Sequence, residues 1–173
     1  PVGIRRVCKI PAARFWDAAK RAIVHAFGTN SSLATLPLTL QALDKLNISR
    51  ASSRLGACVG TNLNNDGILL YEAMAVLFVA QAHGLHLSIG QQILTALLCL
   101  VAAAGVAGVP EAGVISLSLV LTTTGMPLTI LPLLISVDWV IARMRSVTNT
   151  MSDMTVSIAL DGDHTSKPAP VPI

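Results

Sequence analysis

Apolar residues run along this chain in long blocks, and the polar positions gather in short interruptions between them. Residues 11–28 (PAARFWDAAKRAIVHAFG) carry the period of an amphipathic helix. Pro11 suits its first turn and Gly28 its C-terminal cap. Thr29-Asn30-Ser31-Ser32 breaks the pattern, and residues 33–46 predict a second helix that tolerates Pro37 near its start. Residues 47–54 read as a polar, basic loop. A short apolar run at 55–63 is broken by Asn64-Asn65-Asp66-Gly67. Helix resumes over 68–82, and 83–88 form a loop. Residues 89–104 predict an apolar helix, GVAGVPEAG at 105–113 interrupts it, and 114–124 predict another. Gly125-Met126-Pro127 makes a turn. Residues 128–160 predict one long helix with Pro132 near its start, and DGDHTSKPAPVPI at 161–173 has the composition of a disordered tail.

The spacing of charge decides the class. No Asp, Glu, Lys or Arg occurs over 73–110 or over 112–137. Each stretch exceeds the roughly 20 residues that cross a bilayer as a helix, whereas a helix with a wet face carries charge every few residues. The 173 residues are 53% hydrophobic and 12% charged, against about 25% charged in soluble domains, and the mean hydropathy is +0.66. An all-α, multi-pass protein of the inner or plasma membrane is expected, in contact with membrane lipid. A net charge of only +3 and 3% aromatic residues argue against a nucleic-acid partner, which needs basic patches and stacking platforms. Cys8, Cys58 and Cys99 are scattered without a CxxC pair and read as small apolar residues. No nucleotide loop, HExxH or nucleophile elbow is present, so no enzyme and no organic cofactor is expected. The chain begins in mid-element at Pro1, and it is expected to be the C-terminal part of a longer protein.

Lys and Arg cluster at 5–21 and again at Lys45, Arg50 and Arg54, while the loops at 83–88 and 125–129 carry none. The positive-inside rule places the basic clusters in the cytoplasm and the bare loops outside. A segment between the two basic clusters then enters and leaves on one side, as a re-entrant hairpin with its tip at Thr29–Ser32. A second hairpin, with its tip at 105–113, enters from the other side. The expected organisation is a basic leading segment at 1–10, a first re-entrant hairpin at 11–46, a broken transmembrane helix at 54–83, a second re-entrant hairpin at 88–125, a last transmembrane helix at 128–160 and a tail at 161–173. Two hairpins of opposite direction, each followed by a crossing helix, make an inverted repeat, the plan of many secondary transporters.

Irregular backbone inside a bilayer is tolerated only where protein or a water-filled cavity satisfies it. The three breaks therefore attract attention. Freed carbonyls suit a small cation, and freed N–H groups suit an anion. Asn64-Asn65-Asp66-Gly67 adds a carboxylate that is costly in lipid unless it binds a cation or accepts hydrogen bonds; a plain extramembrane turn is the alternative. On the last helix, Arg145, Asn149 and Asp153 fall at i, i+4 and i+8, on one face. A guanidinium fork matches a carboxylate, and the alternative is an internal Arg–Asp brace with no ligand. Glu72, one turn past the break, reads equally as a functional carboxylate or a packing residue. His83 and His86 read as interfacial, Glu111 as exposed, and Gly105 and Gly108 as hinges.

Four stretches carry a resemblance: TNSSLATLPLTL, VGTNLNNDGILLYEAMAVLFVAQ, AAGVAGVPEAGV and VDWVIARMRSVTNTMSDM. In that order they resemble the first hairpin tip, the NMDGT break, the second hairpin tip and the substrate-binding last helix of the dicarboxylate/amino acid:cation symporters, the glutamate transporter family. The resemblance covers about residues 12–160. It implies an elevator mechanism, in which a mobile transport domain carries substrate with Na⁺ (H⁺ in some members) against a trimeric scaffold. The family's scaffold helices lie upstream, so this stretch corresponds to the core of the transport domain and is not expected to transport alone. Ser31 and Ser32 match hairpin-tip residues that contact substrate, and Arg145 matches the arginine that pairs with its distal carboxylate. Val106, Ala107, Gly108, Val109 and Pro110 match the gate, and Ser146 stands where the family has a threonine. Gly60, Asn64, Asn149 and Asp153 match one Na⁺ site, Asn64 and Asp66 match part of another, and Asn149 serves substrate as well.

The departures bear on the ligand. Asn65 and Ile68 replace the Met and Thr of NMDGT, and Asn62 and Ala103 stand where the family often has Thr and Ser at a further cation site. Ala142 occupies the position where amino-acid-transporting members have an Asp that holds the ligand's amino group. Arg145 without that Asp suits a ligand with two carboxylates and no ammonium. A cation-coupled C4-dicarboxylate symporter is therefore the leading expectation, with an aspartate or glutamate symporter next, if another carboxylate replaces the missing one. A non-transporting membrane sensor or assembly partner is the alternative from a different class.

Overall fold

The computed structural model describes residues 10–105 and 112–162. Among these, every regular element is helical. Helix α1 (Ala12–Thr29) follows Pro11, whose fixed φ favours a first-turn position. It stops at Asn30 rather than at Gly28: Asn30 takes the left-handed conformation, φ 51°, which asparagine tolerates better than most residues. Ser31 then caps α2 (Ser32–Lys45), its hydroxyl accepting from Ala34 N at 3.1 Å.

Of the loop that polarity predicts over 47–54, only residues 47–49 are non-helical. Ser49 accepts from Ser52 N at 3.3 Å and starts α3 (Arg50–Ser53). A π-helical segment, Arg54–Val59, and a short α4 (Gly60–Leu63) follow without interruption. The wider π turn lets Gly56 press against Ser157 of the last helix, where a Cβ would lie 2.6 Å from Ser157 Cα. The chain breaks at Asn64 and Asn65, then continues as α5 (Asp66–Ala82). Ser88 and Gln91 form a capping box on α6 (Ile89–Ala104), followed by α7 (Ala112–Thr123). A 3₁₀ turn, Leu128–Ile130, leads into α8 (Leu131–Asp161), 31 residues long, with Pro132 harmless in its first turn.

Two apolar cores hold these helices together. Phe15, Leu43, Leu46, Met154 and Ile158 join α1 and α2 to the C-terminal half of α8. Val76, Val79, Cys99, Leu117, Leu121 and Leu134 join α5, α6 and α7 to its N-terminal half. The polar break at 64–65 and the middle of α8 lie where the cores meet. The outer surface is itself apolar: Ile89 is 76% exposed and Ile115 75%, and such a surface marks contact with lipid or protein. The span Arg50–Ala82 is the one helical stretch among the described residues long and apolar enough to cross a membrane. Helices α6 and α7, with 16 and 12 residues, reach about 24 and 18 Å at 1.5 Å per residue, short of the roughly 30 Å of hydrocarbon.

Candidate functional site

One face of α8 is buried and polar. Asp138, Ala142, Arg145, Ser146, Asn149 and Asp153 all point into the bundle, as their helical spacing predicts. Arg145 grips Asp138 with both arms: Nη1 donates to Oδ1 at 2.5 Å and Nη2 to Oδ2 at 3.1 Å. The side chains are 6% and 7% exposed, and buried charges of this kind persist when paired and hydrogen-bonded. The Arg145 guanidinium also lies over the Tyr71 ring, 4.3 Å from its centroid. Its other side rests on Gly113, where a Cβ would lie 2.9 Å from Nη2. Three elements thus fix one cation.

A second polar group forms where the break meets α8. Asn64 Nδ2 donates to Asp153 Oδ1 and to Ser152 Oγ, both at 3.0 Å. Ser152 Oγ in turn donates to Asp66 Oδ2 at 2.5 Å. Thr61 Oγ1, bonded to Ala57 O, stands 3.4 Å from Asp153 Oδ2. Gly60 completes the recess, since a Cβ there would sit 2.4 Å from Asp153 Oδ1. Two carboxylates, an amide and two hydroxyls make a set of hard oxygen donors of the kind small cations take.

Asn65 and Asn149 occupy the layer between these two groups. Asn149 Oδ1 accepts from Gly67 N at 2.7 Å, and its Nδ2 donates to Asn65 Oδ1 at 3.2 Å. Asn65 Nδ2 donates to Ala103 O at 2.9 Å, in the last turn of α6. The first hairpin's tip reaches the same depth, with Ser146 Oγ donating to Asn30 Oδ1 at 3.1 Å. Ser32 Oγ is buried without a hydrogen-bond partner, an expensive state unless something else satisfies it. A cavity of about 720 Å³ opens beside this tip, bordered by Thr29, Asn30, Asp138, Ala142 and Arg143.

The family model described as the sodium:dicarboxylate symporter family matches residues 1–162. The chain belongs to that family. An excitatory amino acid transporter of Caenorhabditis elegans is 42% identical over 134 residues, which are 77% of this chain and 27% of that protein. Excitatory amino acid transporter 4 of Mus musculus and excitatory amino acid transporter 1 of Homo sapiens are each 40% identical over 134 residues, covering 24% and 25% of their lengths. The chain spans about a quarter of the length of these relatives. The family and the relatives are membrane transporters, not enzymes.

Gly60, Asn64 and Asp153 come together in this chain. Asn149 faces Asn65 and Gly67 instead of Asn64 or Asp153. Asp66 reaches Asn64 through Ser152. Ser146 reaches the first tip through Asn30, next in sequence to Ser31 and Ser32, while Val106, Ala107, Gly108, Val109 and Pro110 lie outside the described residues, as do Glu111 and the segments 1–9 and 163–173. Sequence reasoning assigned no role to Asp138, Ser152, Asn65, Thr61 or Tyr71. Asp138 was findable, because i and i+7 share a helix face; Tyr71 was not, because it reaches Arg145 from another helix.

Proposed function

We propose that this chain is transport-domain core from a cation-coupled symporter of acidic amino acids, aspartate or glutamate. The observation that carries this reading is the 40–42% identity to excitatory amino acid transporters. It replaces the C4-dicarboxylate as the leading ligand. The dicarboxylate stays as a second reading because Ala142 brings no charge to the cavity.

Arg145 would hold a ligand carboxylate, with Ser31, Ser32, Ser146 and Asn149 around it. Residues 106–110 would close over it. Na⁺ is the coupling ion that fits the hard oxygens of Asp153, Asn64, Thr61, Ser152 and Asp66, with Gly60 leaving room. Helices α1 with α2, and α6 with α7, form the two re-entrant hairpins of an inverted repeat, and the shortness of α6 and α7 favours this topology. The hairpins and crossing helices of this reading span 11–46, 54–83, 88–125 and 128–160, with the helical run into the break starting at Arg50. The working protein is a homotrimer in the cell membrane, its scaffold supplied by a further segment, moving by an elevator.

Uptake by the full-length protein in proteoliposomes tests this. Accumulation of labelled aspartate under a Na⁺ gradient, poorly inhibited by succinate, is the expected result. Preferential uptake of succinate, or uptake indifferent to every cation gradient, would overturn it.

A further inference from the structure

Asp138 has capacity left after it pairs with Arg145. A carboxylate offers about four lone-pair sites, and a guanidinium five N–H donors. The bidentate contact uses two of each. What remains is a matched set: donors for a carboxylate on Arg145, and acceptors for an ammonium on Asp138. Asp138 borders the 720 Å³ cavity directly, together with uncharged Ala142 and the first tip at Thr29 and Asn30. Arg143 lies on the same cavity wall, its guanidinium 4.4 Å from the Trp139 ring centroid and bonded to Trp139 O.

The charged side chains bordering the cavity are the Arg143 guanidinium and the Asp138 carboxylate, and the Arg145 guanidinium, outside the cavity lining, is held against Asp138. They complement a ligand with two carboxylates and one ammonium. A ligand with two carboxylates alone would set its negative charge against the unused lone pairs of Asp138, a repulsive element of the kind that creates specificity. Glu72, the other buried carboxylate near this region, belongs to α5 and does not border the cavity.

We infer that Asp138 is the residue that receives the substrate's ammonium group, and so sets the preference for an amino acid over the dicarboxylate of the same length. The inference rests on the proposed function and names the specificity residue of that site. It also accounts for an amino-acid ligand beside Ala142. Asp138 thus has two tasks, orienting Arg145 and neutralising the ligand's cation, and the two separate experimentally.

The test is equilibrium binding of aspartate and succinate, in saturating Na⁺, to the full-length protein and to Asp138→Asn. The wild-type arm reports on the functional reading: tighter succinate binding there overturns that reading, and this inference with it. With aspartate preferred in the wild type, Asp138→Asn is expected to weaken aspartate roughly 10- to 100-fold, the worth of one charged hydrogen bond, and to leave succinate equal or tighter. An equal loss of both ligands would reduce Asp138 to a support for Arg145 and overturn the inference. If Asp138→Asn does not fold, Asp138→Glu keeps the charge but displaces it. It is expected to lower the aspartate-to-succinate affinity ratio, and an unchanged ratio is the overturning result.

Discussion

Gly67 is where α5 and α8 come closest at the site, and adding one methyl group there has a calculable outcome. A Cβ at Gly67 would lie 2.7 Å from Arg145 O and 2.8 Å from Arg145 Cα. Both are backbone atoms, so no side chain can swing away. Restoring 3.4 Å requires α5 and α8 to part by about 0.7 Å (3.4 − 2.7). That movement stretches the Gly67 N to Asn149 Oδ1 bond from 2.7 Å toward 3.4 Å, where it is no longer sound. Overpacking costs about 1–3 kcal/mol and the weakened bond about 0.5–1.5 kcal/mol. Against this stands a helix-propensity gain of about 0.8–1 kcal/mol for alanine over glycine. The penalty wins, with a net loss of about 0.5–3.7 kcal/mol. Gly90, also in a first turn, has nothing within 4 Å of an added Cβ, so Gly90→Ala keeps the gain without the clash. Thermal unfolding of the purified full-length protein in detergent compares them. Gly67→Ala should melt well below wild type and Gly90→Ala at or above it. Equal midpoints for the two variants would refute the close approach of the helices.

Two other substitutions probe the polar groups. Ser152→Ala removes the hydroxyl that joins Asn64 to Asp66; because Asp66 is exposed, the bond is worth about 0.5–1 kcal/mol. The Na⁺ concentration for half-maximal aspartate binding is expected to rise about two- to fivefold, and an unchanged Na⁺ titration would remove Ser152 from the cation site. Arg145→Lys keeps the charge but loses the two-armed contact to Asp138 and the flat contact with Tyr71. Aspartate affinity is expected to fall at least about tenfold, and wild-type affinity in the lysine variant would show that a point charge suffices.

The helices were largely legible because long apolar blocks and their polar interruptions impose their own period. Boundaries failed where a local signal had two meanings. Ser49, Arg50 and Ser52 look like loop residues, yet Ser49 is a helix cap. The π-helical segment Arg54–Val59 was invisible because six residues are too few to show a period, and Gly56 reveals its purpose only against Ser157. The face of α8 was readable from spacing alone. What meets that face was not: Tyr71 and Gly113 arrive from other elements, and only the resemblance placed Gly60 with Asp153. The ligand expectation rested on Ala142 in isolation, whereas the relatives favour an acidic amino acid. A buried carboxylate one turn earlier, at Asp138, was in the same sequence, but its pairing with Arg145 is a fact of side-chain geometry.

The two asparagine amides at Asn65 and Asn149 join three helices without using any net charge. Ala103 O, Asn65, Asn149 and Gly67 N form one unbroken file of dipoles from the end of α6 to the start of α5 by way of α8. An amide cannot reverse its oxygen and nitrogen without exchanging every partner, so the file has a direction. If the α6 carbonyl withdraws, Asn65 Nδ2 loses its shorter contact and turns toward Asn62 O, 3.3 Å away, and the change passes to Asn149 beside Arg145. The position of α6 is in this way written into the orientation of a side chain beside Arg145, as a tumbler's position is written into a lock.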